Sequence, residues 1–84
     1  MLISVTQDHI DRGYRKSSTE CPVALAIKEA ITVPAVVVGR YEIKLHAKSI
    51  GFLPPRSVQR FIRRLDSRHA VKPFKFRLDT TRLL

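Results

Sequence analysis

Four arginines are spaced along the run Arg56-Ser57-Val58-Gln59-Arg60-Phe61-Ile62-Arg63-Arg64-Leu65-Asp66. At helical spacing Arg56, Arg60, Arg63 and Arg64 fall within about 100° of arc, opposite an apolar stripe of Val58, Phe61, Ile62 and Leu65 at i, i+3, i+4 and i+7. Each guanidinium offers paired N–H groups that match two oxygens of a phosphate or a carboxylate, so this ridge suits a nucleic-acid backbone or an acidic protein surface. A plain solvated face is the competing role. Arg56 at the positive end of the helix dipole, and the lack of an acidic residue four positions along to pair the ridge internally, favour an external anion. Arg68, just past the helix, extends the same basic run.

A second basic group lies on predicted strands. In Tyr41-Glu42-Ile43-Lys44-Leu45-His46-Ala47-Lys48 apolar and polar residues alternate, which turns Lys44 and Lys48 away from Ile43 and Leu45. The same alternation turns Lys75 and Arg77 away from Phe74, Phe76 and Leu78. If that outer sheet face is open, these residues reach phosphates. Strand lysines also serve to block edge-to-edge aggregation, the competing role here. Because Tyr41, Phe74 and Phe76 fall on the core side, phosphate contact is expected of this sheet rather than base stacking.

Other chemistry has little support. Cys21, His9, His46 and His69 show no zinc-ligand spacing, so no metal is expected. Cys21 at a helix entrance could gain thiolate character from the dipole, but a lone cysteine there is ordinarily a buried apolar residue, and no chemical role is assigned to it. Gly13, Gly39 and Gly51 are too scattered for a phosphate loop, and no carboxylate pair stands ready for acid–base work. The reading is a binding protein with no cofactor, not an enzyme.

The elements that must position these residues fit in 84 residues, enough for one domain with one modest core. Sixteen Lys and Arg against seven Asp and Glu give +9. Residues 1–39 hold four basic and four acidic residues, whereas residues 40–84 hold twelve basic and three acidic, so the whole excess lies in the second half. Such asymmetry points to a polyanion or an acidic partner, beyond what solubility needs. No apolar run approaches the ~18–20 residues of a membrane span, no signal sequence is read at the N-terminus, and the lone cysteine favours a reducing compartment; a cytoplasmic location in a host cell is expected.

Ile3 and Val5 flank Ser4 in a short strand, and Thr6 caps a helical turn ended by Gly13. The polar stretch from Gly13 to Thr19 is expected to be an exposed, mobile loop. Proline at the first helical position opens a helix at Cys21-Pro22, with Val23, Ala24, Ala26, Ile27, Ala30 and Ile31 on one face, and Pro34 stops it. Ala35–Val38 form a strand, Gly39-Arg40 a tight connection to the 41–48 strand, Pro54-Pro55 the start of the arginine helix, and Phe74–Leu78 the last strand. The expected fold is α+β, order β-α-α-β-β-α-β, with a mainly antiparallel sheet and two main helices on one face; residues 80–84 are read as a flexible tail. The expected core is Val23, Ile27, Ile31, Val37, Ile43, Leu45, Phe61, Ile62, Leu65, Phe74 and Phe76.

Three stretches, Cys21-Pro22-Val23-Ala24-Leu25-Ala26-Ile27, Arg60-Phe61-Ile62-Arg63-Arg64-Leu65-Asp66 and Lys72-Pro73-Phe74-Lys75-Phe76, resemble small uncharacterised proteins of bacteriophage and prophage genomes. The resemblance spans most of residues 2–79 and implies a viral setting, with no activity attached. Two functions are therefore expected to compete. One is a nucleic-acid-binding accessory module that holds DNA or RNA phosphates. The other is an inhibitor or regulator that docks its basic surface on an acidic or nucleic-acid-binding site of a host defence or transcription protein.

Overall fold

The computed structural model describes residues 1–31, 36–39, 42–45 and 50–78. In chain order the elements are β1 (Leu2–Val5), α1 (Gln7–Arg12), α2 (Pro22–Ala30), β2 (Val36–Val38), β3 (Ile43–Leu45), β4 (Ile50–Phe52), α3 (Arg56–Asp66) and β5 (Phe74–Arg77). The fold is α+β in the expected order, with one further short strand, β4, between β3 and α3. Expectations for Pro34, Arg40, Tyr41, His46, Lys48 and residues 80–84 lie outside the described residues.

Thr6 caps α1 by the predicted route, but histidine takes the place usually held by glutamate. Its hydroxyl accepts from the His9 N–H (3.3 Å), and His9 Nδ1 accepts from the Thr6 N–H (2.9 Å), so two orphan donors are satisfied reciprocally. Gly13 ends the helix where the chain passes against Pro22. A Cβ at this position would sit 2.7 Å from the Pro22 ring, so only glycine fits.

Cys21 precedes Pro22, the first residue of α2, as the proline predicts. Val23, Ala24, Ala26 and Ile27 are buried, and full burial of a Val or Ile contributes about 1.5–3 kcal/mol each. The small alanines let α2 lie close, and it packs on both β1 and β2. The 13–19 loop, expected to be mobile, is tied to several neighbours. Ser18 O accepts from the Val38 N–H (2.7 Å), Asp66 Oδ1 accepts from the Lys16 N–H (3.0 Å), and Thr19 O accepts from Lys28 Nζ (2.6 Å).

The strands form two antiparallel sheets where a single one was expected. β1 pairs with β5, with Ile3 opposite Phe76 and Val5 opposite Phe74. β2, β3 and β4 form a local meander, with Val38 opposite Ile43 and Leu45 opposite Ile50. Among the described residues no ladder joins the two sheets, and α2 bridges them through side-chain packing.

The core is one apolar cluster that includes Ile3, Val5, Val23, Ile27, Val36, Ile43, Leu45, Val58, Phe61 and Phe76. Ile31, Leu65 and Phe74, expected in the core, are partly buried at its margin. Val37 is the correction. It is 36% exposed while Val36 and Val38 are buried, because a run of three valines gives alternation no polar marker to fix its phase.

Candidate functional site

The ridge is on the surface, as the helical wheel requires. Arg56, Arg60, Arg63 and Arg64 are exposed, and Val58, Phe61 and Ile62 on the opposite side of α3 are buried. Pro55 occupies the N-cap position without a side chain to bond the first N–H groups, and no acidic residue lies in the first turn. The positive end of the helix therefore has no local compensation and adds to the field of Arg56.

The four arginines split into two groups around Arg60. Arg56, Arg60 and Arg63 surround a hollow of about 240 Å³ together with Gln59, whose Nε2 donates to Pro54 O (2.9 Å). Arg60 and Arg64 instead border a groove of about 430 Å³ between α3 and the 70–74 segment. Arg64 crosses the end of this groove, its Nε and Nη2 donating to Ala70 O at 3.3 and 3.1 Å. That interaction uses two of its five N–H groups and leaves the others for a ligand.

Among the described residues no carboxylate lies within ion-pair distance of Arg56, Arg60, Arg63 or Arg64. Asp66, the nearest acid in sequence, is engaged by the Lys16 N–H. Helices α1 and α2 behave in the opposite way. Arg12 pairs with Asp8 (2.8 Å) and Glu29 (2.7 Å), Lys28 with Glu20 (3.4 Å), and the buried His9 ring with Glu29 (3.2 Å). The Arg12 guanidinium, and after it the His9 ring, hold the Glu29 carboxyl below the usual glutamate range; Glu29 and then Asp8 in turn raise Arg12.

Thr6, His9 and Glu29 stand in hydrogen-bonded order, with His9 Nδ1 3.1 Å from Thr6 Oγ1. In this cluster the hydroxyl and ring are already committed to the cap of α1, which gives them a structural use. Cys21 is buried, and burial pushes its thiol up, against the thiolate that a helix start favours. Among the described residues no group of three His, Cys, Asp or Glu side chains is placed to hold a metal.

The second basic group is divided. Lys75 and Arg77 are exposed on the outer face of the β1–β5 ribbon, whereas Lys44 is exposed on the other sheet and paired with Glu42 (3.3 Å). Strand pairing therefore does not unite them, and Lys48 lies outside the described residues. Arg68 is exposed and left-handed (φ 62°) at the end of α3, where the His69 N–H reaches Arg64 O (2.8 Å) and the Arg68 N–H reaches Leu65 O (3.0 Å). This is the Schellman arrangement, with arginine where glycine is usual.

Alternation along the last strand conceals one feature. It assigns Phe74 wholly to the core, yet this ring is partly exposed and lines the groove beside Arg60 and Arg64. Its position at the very start of β5, after an exposed Lys72-Pro73, is the available signal, because the first residue of a strand sits at the rim of whatever covers the sheet. No family model matches the chain, and neither a curated protein nor a solved structure does. Among the described residues no helix is long and apolar enough to cross a membrane.

Proposed function

We propose that this chain is a basic accessory binding module of phage type, acting in the host cytoplasm, that holds nucleic-acid phosphates through the exposed face of α3. The supporting observation is that Arg56, Arg60 and Arg63 have no carboxylate partner among the described residues, on a helix whose first turn carries no acid. Three guanidiniums around one hollow repel one another, an arrangement that an incoming anion relieves. The phage setting rests on the sequence resemblance, and binding rather than catalysis on the charge distribution.

A salt series on a mixed DNA and RNA panel tests this reading. Phosphate binding weakens steeply with salt, and every phosphate that a charge reversal leaves without its cation flattens the slope by about 0.7–0.9. Reversal at Arg56, Arg60 and Arg63 together is expected to flatten it by about 2 to 3. A panel left unbound at low salt overturns the proposal and favours the competing function, an inhibitor docked on an acidic or nucleic-acid-binding site of a host protein.

A further inference from the structure

The groove beside the ridge combines an apolar floor with a basic border. Its residues include Phe61, Val71, Pro73 and Phe74, with Arg60, Arg64 and Lys72 at its borders, and among the described residues no carboxylate lines it. The floor is rigid. Phe74 packs against Phe61, with ring centroids 4.8 Å apart and planes tilted by 35°, and against Phe76 at 5.9 Å and 28°. Phe61 is itself anchored in the core at 6% exposure, and Arg64 pins the end of the groove to Ala70 O.

A hollow with this lining takes a flat, apolar-faced group that carries a negative charge beside it. Free phosphate has no use for the aromatic floor, and a duplex keeps its bases stacked and paired, presenting only their edges. An unstacked nucleobase offers an apolar face to the floor, and its adjoining phosphate falls to cations at the border. Arg60 links the two functions, since it borders both this groove and the hollow formed with Arg56 and Arg63.

We propose that the groove between α3 and residues 70–74 seats an unpaired base of single-stranded nucleic acid, while Arg56, Arg60 and Arg63 hold the flanking backbone. The inference rests on the phosphate-binding reading above and adds strand selectivity to it. The ridge then supplies sequence-independent attraction, and the groove distinguishes single strands from duplex. The site has one seat for a base, so its preference is for unstacked strands rather than for a long sequence.

The test is fluorescence anisotropy on the full chain with a labelled single strand of DNA, the same strand with abasic sites, its RNA equivalent and the matched duplex. The wild type is expected to favour the intact single strands over both the duplex and the abasic strand. Phe74→Leu keeps an apolar side chain at the site and is expected to weaken single-strand binding by at least about fivefold, since stacking of one base on an aromatic ring is worth about that or more. Ser57→Trp, at an exposed position on the groove wall, fills the groove without replacing a core residue and is expected to lower single-strand affinity while sparing duplex. Melting curves confirm that both variants fold. Equal binding of intact, abasic and duplex probes, or Phe74→Leu and Ser57→Trp both binding like wild type, overturns the base-seating inference and leaves phosphate binding in place. Binding to none of the probes overturns both readings together.

Discussion

Helices α1 and α2 and the α3–β5 segment carry similar kinds of charge and treat them in opposite ways. In the first, Arg12 and Lys28 are matched by Asp8, Glu29 and Glu20 across α1, α2 and the loop between them. In the second, Arg56, Arg60, Arg63, Lys75 and Arg77 are exposed without a carboxylate partner among the described residues. Ion pairs at a surface hold neighbouring elements together at small net gain, whereas unpaired like charges on one helix oppose folding and become useful when a partner neutralises them. The first region is organised for cohesion and the second for an external anion.

The largest expected effect removes the scaffold that both regions share. Phe61 packs under the ridge and against Phe74, so Phe61→Ala leaves a cavity that costs about 3–5 kcal/mol, enough to unfold a domain this small. Urea or thermal unfolding measures it. A cooperative melt unchanged by this substitution breaks the packing of α3 on β5.

Charge reversal sharpens the contrast directly. Arg60→Glu with Arg63→Glu is expected to abolish nucleic-acid binding while stability moves within about ±0.5 kcal/mol, because both side chains are exposed and neither has an ion-pair partner among the described residues. Reversal of Arg64 mixes two effects, since it also breaks the bonds to Ala70 O. Reversing Arg12 and Arg15 is expected to leave binding nearly intact. Anisotropy on the two double variants beside their melting curves decides the matter, and equal binding losses in both regions dissolve the distinction.

A smaller effect tests whether the second region gives up stability for charge. Arg68 holds the left-handed position that ends α3, a conformation costly for any residue with a Cβ. Arg68→Gly is expected to raise stability by about 0.5–1 kcal/mol, the relief of that strain less the added freedom of the unfolded chain. Chemical denaturation of the variant measures the gain, and a salt titration shows whether removal of the charge weakens binding.

The smallest effect belongs to the paired region. The Glu29 carboxyl is depressed by Arg12 and His9, so its contribution to stability is complete above about pH 5 and fades as pH falls through the glutamate range toward the lower folded value. Because Arg12 and Glu29 are both half exposed, the difference between wild type and Glu29→Gln is small at neutral pH and vanishes in acid. Denaturation midpoints of the two proteins, measured from about pH 7 down through the acid range, check this, and a gap that widens in acid reverses the assignment.

Local rules carried much of the fold. Thr6, Gly13, Pro22 and Pro55 mark helix limits because caps and φ restrictions act within a few residues, and the 3.6-residue period of α3 settles which side of it is arginine. The ridge was legible for that reason. Three valines in a row left the phase of β2 open, and the division into two sheets depends on pairings between β1 and β5, which stand at opposite ends of the described chain. The sequence by itself determined the helices, the basic half and the residues on the arginine face, since each follows from spacing along the chain. Only the tertiary structure decided that Asp66 turns to Lys16, that Lys44 and Lys75 lie on different sheets, and that Phe74 meets Arg60 and Arg64 at a groove. Those outcomes depend on which distant segments share a boundary, and spacing along one element holds no record of that.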